Sequence, residues 1–210
     1  MVSVLVVTWN SARFLEACLS SVDRQEYKDF EVVIVDNSST DHTRELLAVR
    51  KSQYKVIYND ENIGFASGIN QAMRYAQGEW LLCLNPDVIV ASDLITLFVQ
   101  AGIAHPEAGA LCGKLLRWNP QAPVPKTNTI DSTGIYFTRN IRHLDRGAEE
   151  IDRGQYDHTQ WVFGATGAAA MYRRDFVNAV SLEGQFFDED FFAYREDADL
   201  AWRAQLMGWK

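Results

Sequence analysis

The sequence predicts an α/β chain built on an open, mostly parallel, twisted sheet with helices on both faces. Two patterns point to it. Apolar runs rich in Val, Ile and Leu recur through the first hundred residues, as strands buried on both faces require, and the stretches between them repeat apolar residues at helical spacing. Each run also ends in a polar cluster, and in open α/β sheets ligands bind just outside the carboxyl ends of strands, so the four polar strand ends are expected to line one crevice.

The first run, Val2 to Val7, stops at Thr8-Trp9-Asn10. It lacks a basic leader and is far too short to span a membrane, so it reads as a buried strand and not as a signal peptide. Phe14, Leu15, Cys18, Leu19 and Val22 then mark one face of a crossover helix. Glu31 to Val35 forms a second strand, ended by Asp36-Asn37-Ser38-Ser39-Thr40-Asp41, and Tyr54 to Tyr58 a third, ended by Asn59-Asp60-Glu61-Asn62. Ile69, Ala72, Met73 and Ala76 mark another helix before the fourth strand, Trp80 to Leu84, which runs into Asn85-Pro86-Asp87.

Beyond Ala108 the pattern changes. Ala110 to Leu116 is a further strand, and Trp118 to Asn128, with three of the five prolines, reads as a loop. The polar stretch Thr133 to Gln160 is expected to be a mobile, substrate-facing insertion. Small residues between Val162 and Tyr172 permit close backbone approach. A last helix is expected from near Asp197, with Leu200, Ala201 and Ala204 inward. The chain stops at Lys210 without a closing element, which is read as truncation of one longer domain.

Composition narrows the function. With 210 residues, 47% hydrophobic and 23% charged, the chain supports one sizeable core. A formal charge of −8 without a Lys/Arg run excludes nucleic acid as the expected partner. Cys18, Cys83 and Cys112 are odd in number and lack metal spacing, so they read as reduced core residues of a cytosolic protein. The four histidines show no metal spacing either.

Several polar clusters carry chemistry. Glu196 and Asp197 lie in a phrase from Phe187 to Leu200 that mixes carboxylates with rings, and rings that dry a carboxylate raise its pKa toward that of a useful base. Asp87 after an apolar strand suits a hard oxygen ligand for Mg²⁺ or Mn²⁺, while Asn-Pro-Asp reads equally as a turn. Asp36 suits an acceptor for the imide N–H of a pyrimidine base, with Ser39, Thr40 or Asp41 capping the next helix. The glycines of Asn62-Ile63-Gly64-Phe65-Ala66-Ser67-Gly68 open a helix whose free N–H groups suit a phosphate, or else they allow tight packing. Their spacing fits neither the dinucleotide nor the P-loop motif. Arg173 and Arg174 read as the solvated end of a strand, Trp202 and Arg203 as packing and surface charge, and Trp161 as core.

The ordered set Thr8-Trp9-Asn10, Val35-Asp36-Asn37-Ser38-Ser39, Asn62-Ile63-Gly64, Asn85-Pro86-Asp87 and Arg195-Glu196-Asp197-Ala198-Asp199-Leu200 resembles the family 2 inverting glycosyltransferases of GT-A fold, over essentially the whole chain. Within that family the Asn-Pro-Asp and Phe-Asp-Glu-Asp-Phe-Phe phrases look most like bacterial rhamnosyltransferases. The resemblance implies a nucleotide-binding half over 1–107 and an acceptor-binding half over 108–210. It implies that Thr8, Trp9 and Asp36 hold the base, that Asn10, Ser39, Asn62 and Gly64 lie near ribose or phosphates with Asn85, and that Asp87 holds Mg²⁺ or Mn²⁺. Asn85 replaces the first aspartate of the usual Asp-x-Asp, and an amide oxygen is a weaker ligand. Of Glu196 and Asp197, the aspartate matches the family's usual base, and an exchange of their roles stays open. The implied donor is a dTDP- or UDP-linked sugar and the implied acceptor a cell-surface or lipid-linked glycan, met at the cytoplasmic face of a membrane. A noncatalytic nucleotide-sugar-binding module and a sugar nucleotidyltransferase are the alternatives, although Asn10-Ser11-Ala12-Arg13 is a poor triphosphate loop.

Overall fold

A computed structural model describes residues 1–119 and 126–210. The chain runs β1 (Val2–Thr8), α1 (Ala12–Asp23), β2 (Phe30–Asp36), α2 (Thr43–Ala48), β3 (Lys55–Tyr58), α3 (Gly64–Met73), β4 (Trp80–Leu84) and α4 (Leu94–Ala104). It continues through β5 (Ala110–Cys112), β6 (Leu115–Trp118), β7 (Lys126–Ser132), β8 (Ile135–Phe137), β9 (His143–Asp145), β10 (Ala169–Arg173), α5 (Arg174–Val180) and α6 (Glu196–Leu206).

Strand alternation explains the layers. Successive side chains of a strand point to opposite faces. Leu5 and Val7 of β1, Val33 and Val35 of β2, and Leu81 and Cys83 of β4 therefore meet Ile69 of α3, Phe176 of α5 and Leu200 of α6 in one core. Val4 and Val6, Val32 and Ile34, and Leu82 and Leu84 meet Leu15 and Leu19 of α1, Leu47 of α2 and Phe98 of α4 in a second. Both faces are covered, which is why these strands read as continuous apolar runs.

The main sheet has the order β3-β2-β1-β4-β10-β5. β1, β2, β3 and β4 are parallel, with Thr8 beside Asp36 in the β1–β2 register. β10 runs antiparallel between β4 and β5. The chain steps outward from β1 to β2 and β3, then crosses to the other side of β1 for β4. The strand order reverses between β1 and β4, and a crevice belongs at that point.

The expected strand over Ala110 to Leu116 is two strands: β5 joins the main sheet, while β6 pairs with β7 in a separate ribbon. Of the expected loop over Trp118 to Asn128, Trp118 ends β6 and Lys126 to Asn128 begin β7, with Trp118 paired to Lys126, and its segment 120–125 lies outside the described residues. Within Thr133 to Gln160, β8 and β9 form a hairpin. Its Phe137 stacks on Phe163 and on Trp202 of α6, with ring centroids 4.5 Å and 5.1 Å away.

Four side chains differ from expectation. Arg173 and Arg174 are not a solvated end: Arg173 donates to the Gly102 carbonyl and lies over Trp80, and Arg174 donates to the Gly78 and Ala76 carbonyls. Arg203 is buried, bonded to Asp199 and to the carbonyls of Val180 and Phe186. Trp161 is 53% exposed and is not core. Its indole meets the His105 ring in a T-shaped contact, with the Lys210 ammonium over the indole.

All three cysteines are free. Burial, helped by the charge of Asp87, pushes the Cys18 thiol up to about 12, and burial pushes Cys112 up to about 11, so neither thiol is reactive. Among the described residues, no helix is long and apolar enough to cross a membrane.

Candidate active site

A crevice of about 830 Å³ opens where β1 and β4 diverge, and Trp9, Asn10, Asn85, Asp87, Glu196 and Asp197 all line it. Six residues singled out from three distant stretches of sequence thus share one wall. The β1 and β4 ends supply the first four, and the first turn of α6 supplies the carboxylates.

Asp197 is half-buried and held by two backbone donors. The Gly167 N–H reaches its Oδ2 at 3.0 Å and the Ala198 N–H its Oδ1 at 2.8 Å. A Cβ at Gly167 would make ordinary contacts, 3.5 Å from Asp197 Oδ2 and 3.7 Å from Glu196 Oε1, so this approach does not depend on glycine. Glu196 is only 6% exposed, and its Oε2 is buried without a hydrogen-bond partner. Burial pushes its carboxyl up from 4.5 to about 7; hydrogen bonding by its own backbone opposes the shift and the Asp197 charge adds to it. The acidic first turn of α6 places negative charge at the positive end of the helix dipole.

The rings of this phrase do not dry Glu196 in the way the sequence implied. Phe186 and Phe187 point into the core against Tyr172, while Phe192 and Tyr194 are exposed. Asn70 fixes the loop: its amide donates to the Phe187 carbonyl at 2.7 Å and accepts the Phe187 N–H at 3.0 Å.

That loop also closes the glycine-rich helix start. The Phe65 N–H donates to the Phe192 carbonyl at 2.6 Å, the Ala66 N–H to the same oxygen at 3.2 Å, and the Gly64 N–H to Asn62 Oδ1 at 2.9 Å. The expected free N–H groups for a phosphate are therefore taken, and the reading of the glycines as a tight helix–sheet contact holds for Gly68, where a Cβ would lie 2.9 Å from both γ carbons of Val7 in β1. Gly64 instead meets the Phe192 loop: its φ is +87°, and a Cβ would lie 2.6 Å from the Phe192 carbonyl. Neither Asn62 nor Gly64 lines the crevice.

Thr8, Asp36 and Ser39 lie beneath the β1 and β2 ends rather than on the crevice wall. Asp36 is fully buried. Its Oδ2 accepts from Arg44 Nε at 2.7 Å and from the Ser39 N–H at 3.2 Å, leaving Oδ1 without a partner. Thr8 Oγ1, next to it in register, is also buried without one. Each is a buried polar atom without a partner, and neither reaches the crevice wall. Asn10 has φ +50°, and its Oδ1 accepts the Thr40 N–H at 2.8 Å while its own N–H donates to Ser39 Oγ at 2.9 Å. Asp41, rather than Ser39 or Thr40, supports the helix starts, accepting from the Ala12 and Thr43 N–H groups.

Asp87 is exposed on the crevice wall, and the Asn85 Oδ1 close by in sequence is buried and unpartnered. Among the described residues no group of three or more His, Cys, Asp or Glu gathers as a metal cage. Mg²⁺ and Mn²⁺ sites that rely on substrate phosphates need only one or two protein oxygens, so this pair fits a metal that arrives with its nucleotide.

The family model described as glycosyl transferase family 2 matches residues 3–180. The chain belongs to this family. Poly-beta-1,6-N-acetyl-D-glucosamine synthase of Staphylococcus aureus is 24% identical over the whole chain, which covers 47% of that relative. The Staphylococcus epidermidis synthase is 26% identical over 64% of the chain and 33% of the relative. The chain thus spans about half the length of the S. aureus synthase. Among solved structures, S. aureus TarS 1-349 in complex with UDP-GlcNAc matches with TM-score 0.64 at 23% identity, covering 98% of this chain and 53% of that one. The mannosyltransferase PcManGT of Pyrobaculum calidifontis, in complex with GDP-Man and Mn2+, matches with TM-score 0.66 at 22% identity over 100% of this chain and 53% of that one. These likenesses establish the GT-A fold. None of these names mentions rhamnose, and the rhamnosyl expectation finds no support in them.

This family 2 chain also brings residues to the crevice that sequence reasoning passed over. Ile141, Arg142, His143 and Asp145 of the β8–β9 hairpin line it, as do Thr166 to Ala168 before β10. The polar composition of the hairpin signalled a substrate-facing segment, but nothing local indicated which residues turn inward.

Proposed function

We propose that this domain transfers a sugar from a nucleotide diphosphate to an acceptor hydroxyl with inversion, and that a UDP-linked N-acetylhexosamine is the donor to test first. The observation that carries the reading is the meeting of Asn85 and Asp87 with Glu196 and Asp197 in one crevice at the strand-order reversal. The donor class is supported by the poly-N-acetylglucosamine synthases and by the UDP-GlcNAc complex of TarS.

In this reading Trp9 on the crevice wall, backed by Thr8 and Asp36, holds the base, and Asp87 with Asn85 holds a divalent metal. When bound, that metal stabilises charge on the departing diphosphate. The leaving group then needs no protein acid, and a single base suffices. Asp197 takes the acceptor proton: it is the more exposed carboxylate, and two backbone N–H groups fix its orientation while each oxygen keeps a free lone pair. Glu196, buried beside it and half-protonated near pH 7, limits like charge behind the base. The acceptor class stays a glycan, and its approach is past the β8–β9 hairpin.

Calorimetric titration with UDP, dTDP and GDP, with and without Mn²⁺, followed by turnover of UDP-N-acetylglucosamine, tests the reading. Mn²⁺-enhanced binding of UDP, with turnover abolished in Asp197→Asn but binding retained, is the expected result. Preference for dTDP discards the donor. Tight nucleotide binding with no hydrolysis or transfer favours a binding module, and binding of none of the three overturns the proposal.

A further inference from the structure

Two arginines stand in the crevice without partners. Arg142 and Arg195 both line it and are exposed, and among the described residues neither guanidinium makes a hydrogen bond, ion pair or ring contact. Arg44, Arg50, Arg117 and Arg203 pair with carboxylates and Arg173 and Arg174 with carbonyls, while the remaining arginines without a partner, such as Arg24, Arg74, Arg139 and Arg153, do not line the crevice. What sets Arg142 and Arg195 apart is their place: Asp87, Asp145, Glu196 and Asp197 line the same cavity, and neither arginine pairs with any of them.

Local preferences oppose both placements. Arg195 has φ +75° and precedes α6, where the positive end of the helix dipole disfavours a cation. Arg142 follows Ile141, a β-branched residue at φ +59°, a true outlier for that residue type. Thr138 holds the turn: its N–H donates to the Arg142 carbonyl, its carbonyl accepts the Ile141 N–H, and its Oγ1 accepts the Arg142 N–H. Sites that break several local rules at once are where function is expected.

Both cations belong to the acceptor side. Arg195 adjoins Glu196 and Asp197 in sequence, and the Arg142 hairpin packs through Phe137 onto Trp202 of the same helix. The donor-side residues Asn85 and Asp87 instead follow β4. A guanidinium fork matches phosphate oxygens, and one without a protein partner keeps its donors for an incoming anion, whose repulsion by the nearby carboxylates the two cations offset.

We propose that Arg142 and Arg195 form an oxyanion subsite for the acceptor, so that the hydroxyl delivered to Asp197 belongs to a molecule carrying a phosphate group close by. The proposal rests on the glycosyltransferase reading above. Ile141, 72% exposed, and Leu144, 41% exposed, lie beside the cations, so the phosphate of a soluble glycan and that of a lipid headgroup present the same chemistry to them.

The test saturates the protein with UDP and Mn²⁺, which fills the donor phosphate positions, and then titrates two probes: glycerol 3-phosphate, and vesicles of phosphatidylglycerol in phosphatidylcholine. The wild type is compared with Arg142→Gln/Arg195→Gln, whose exposed positions leave folding intact. The expected result is binding of at least one probe, weakened about tenfold in the double variant, with UDP affinity changed less than about twofold. Binding of glycerol 3-phosphate assigns the subsite to soluble phosphates, and binding of vesicles alone assigns it to a lipid headgroup. Binding of neither probe, equal binding by the variant, or a parallel fall in UDP affinity overturns the subsite, the last because the arginines would then hold the donor diphosphate. A wild type that binds no UDP defeats the glycosyltransferase reading, and this subsite with it.

Discussion

Replacing Glu196 by Gln should stabilise the protein at alkaline pH and leave it nearly unchanged in acid. Glu196 is 6% exposed, its Oε2 has no partner, and burial moves its carboxyl from 4.5 to about 7. Between those two values the folded state binds a proton that the unfolded state has released. Stability therefore falls as pH rises through this window, and the full cost of holding the buried charge is present above it. A shift of that size corresponds to about 3 kcal/mol. At pH 8.5 the variant should gain most of this, roughly 1 M in urea midpoint, and at pH 4.5 well under 1 kcal/mol. Paired urea melts of both proteins at the two pH values, without nucleotide or metal, measure the difference directly. An equal stability change at both would refute the reasoning, since loss of packing or of a hydrogen bond has no reason to follow this window.

Asp197→Asn should lower turnover about 10²-fold or more while nucleotide affinity is retained, read from steady-state kinetics beside calorimetry. Asp87→Asn should remove the Mn²⁺ enhancement of UDP binding and leave metal-free binding intact. Gly64→Ala should cost about 2 kcal/mol or more, because φ +87° and the Phe192 carbonyl 2.6 Å from a Cβ both oppose it; an unchanged melting temperature would contradict that geometry. Asn70→Ala should cost about 2 kcal/mol by leaving both polar groups of the Phe187 backbone unpaired, and limited proteolysis should then cut the loop that follows.

The four parallel strands and the helices between them were legible in the sequence, because burial on both faces writes continuous apolar runs. Of the four polar strand ends expected at one crevice, those after β1 and β4 line it and those after β2 and β3 do not. The meeting of Asn85 and Asp87 with Glu196 and Asp197 was implied by the resemblance to family 2 glycosyltransferases and by no local pattern. What the sequence left open depended on partners distant along the chain. A phosphate site at the start of α3 was a fair expectation until Phe192, more than a hundred residues later, supplied the carbonyl that caps it. Arg173, Arg174 and Arg203 read as surface charge because their acceptors are carbonyls of remote segments that no local pattern announces. The split of Ala110 to Leu116 between two sheets, and the turning of Arg142 into the crevice, were likewise decided only when β10 inserted antiparallel beside β4 and the hairpin packed on α6. Periodicity and strand-end chemistry are short-range properties, so the sequence carries them by itself. Capping, burial of charge and the aim of a side chain belong to contacts between segments, and those exist only in the folded chain.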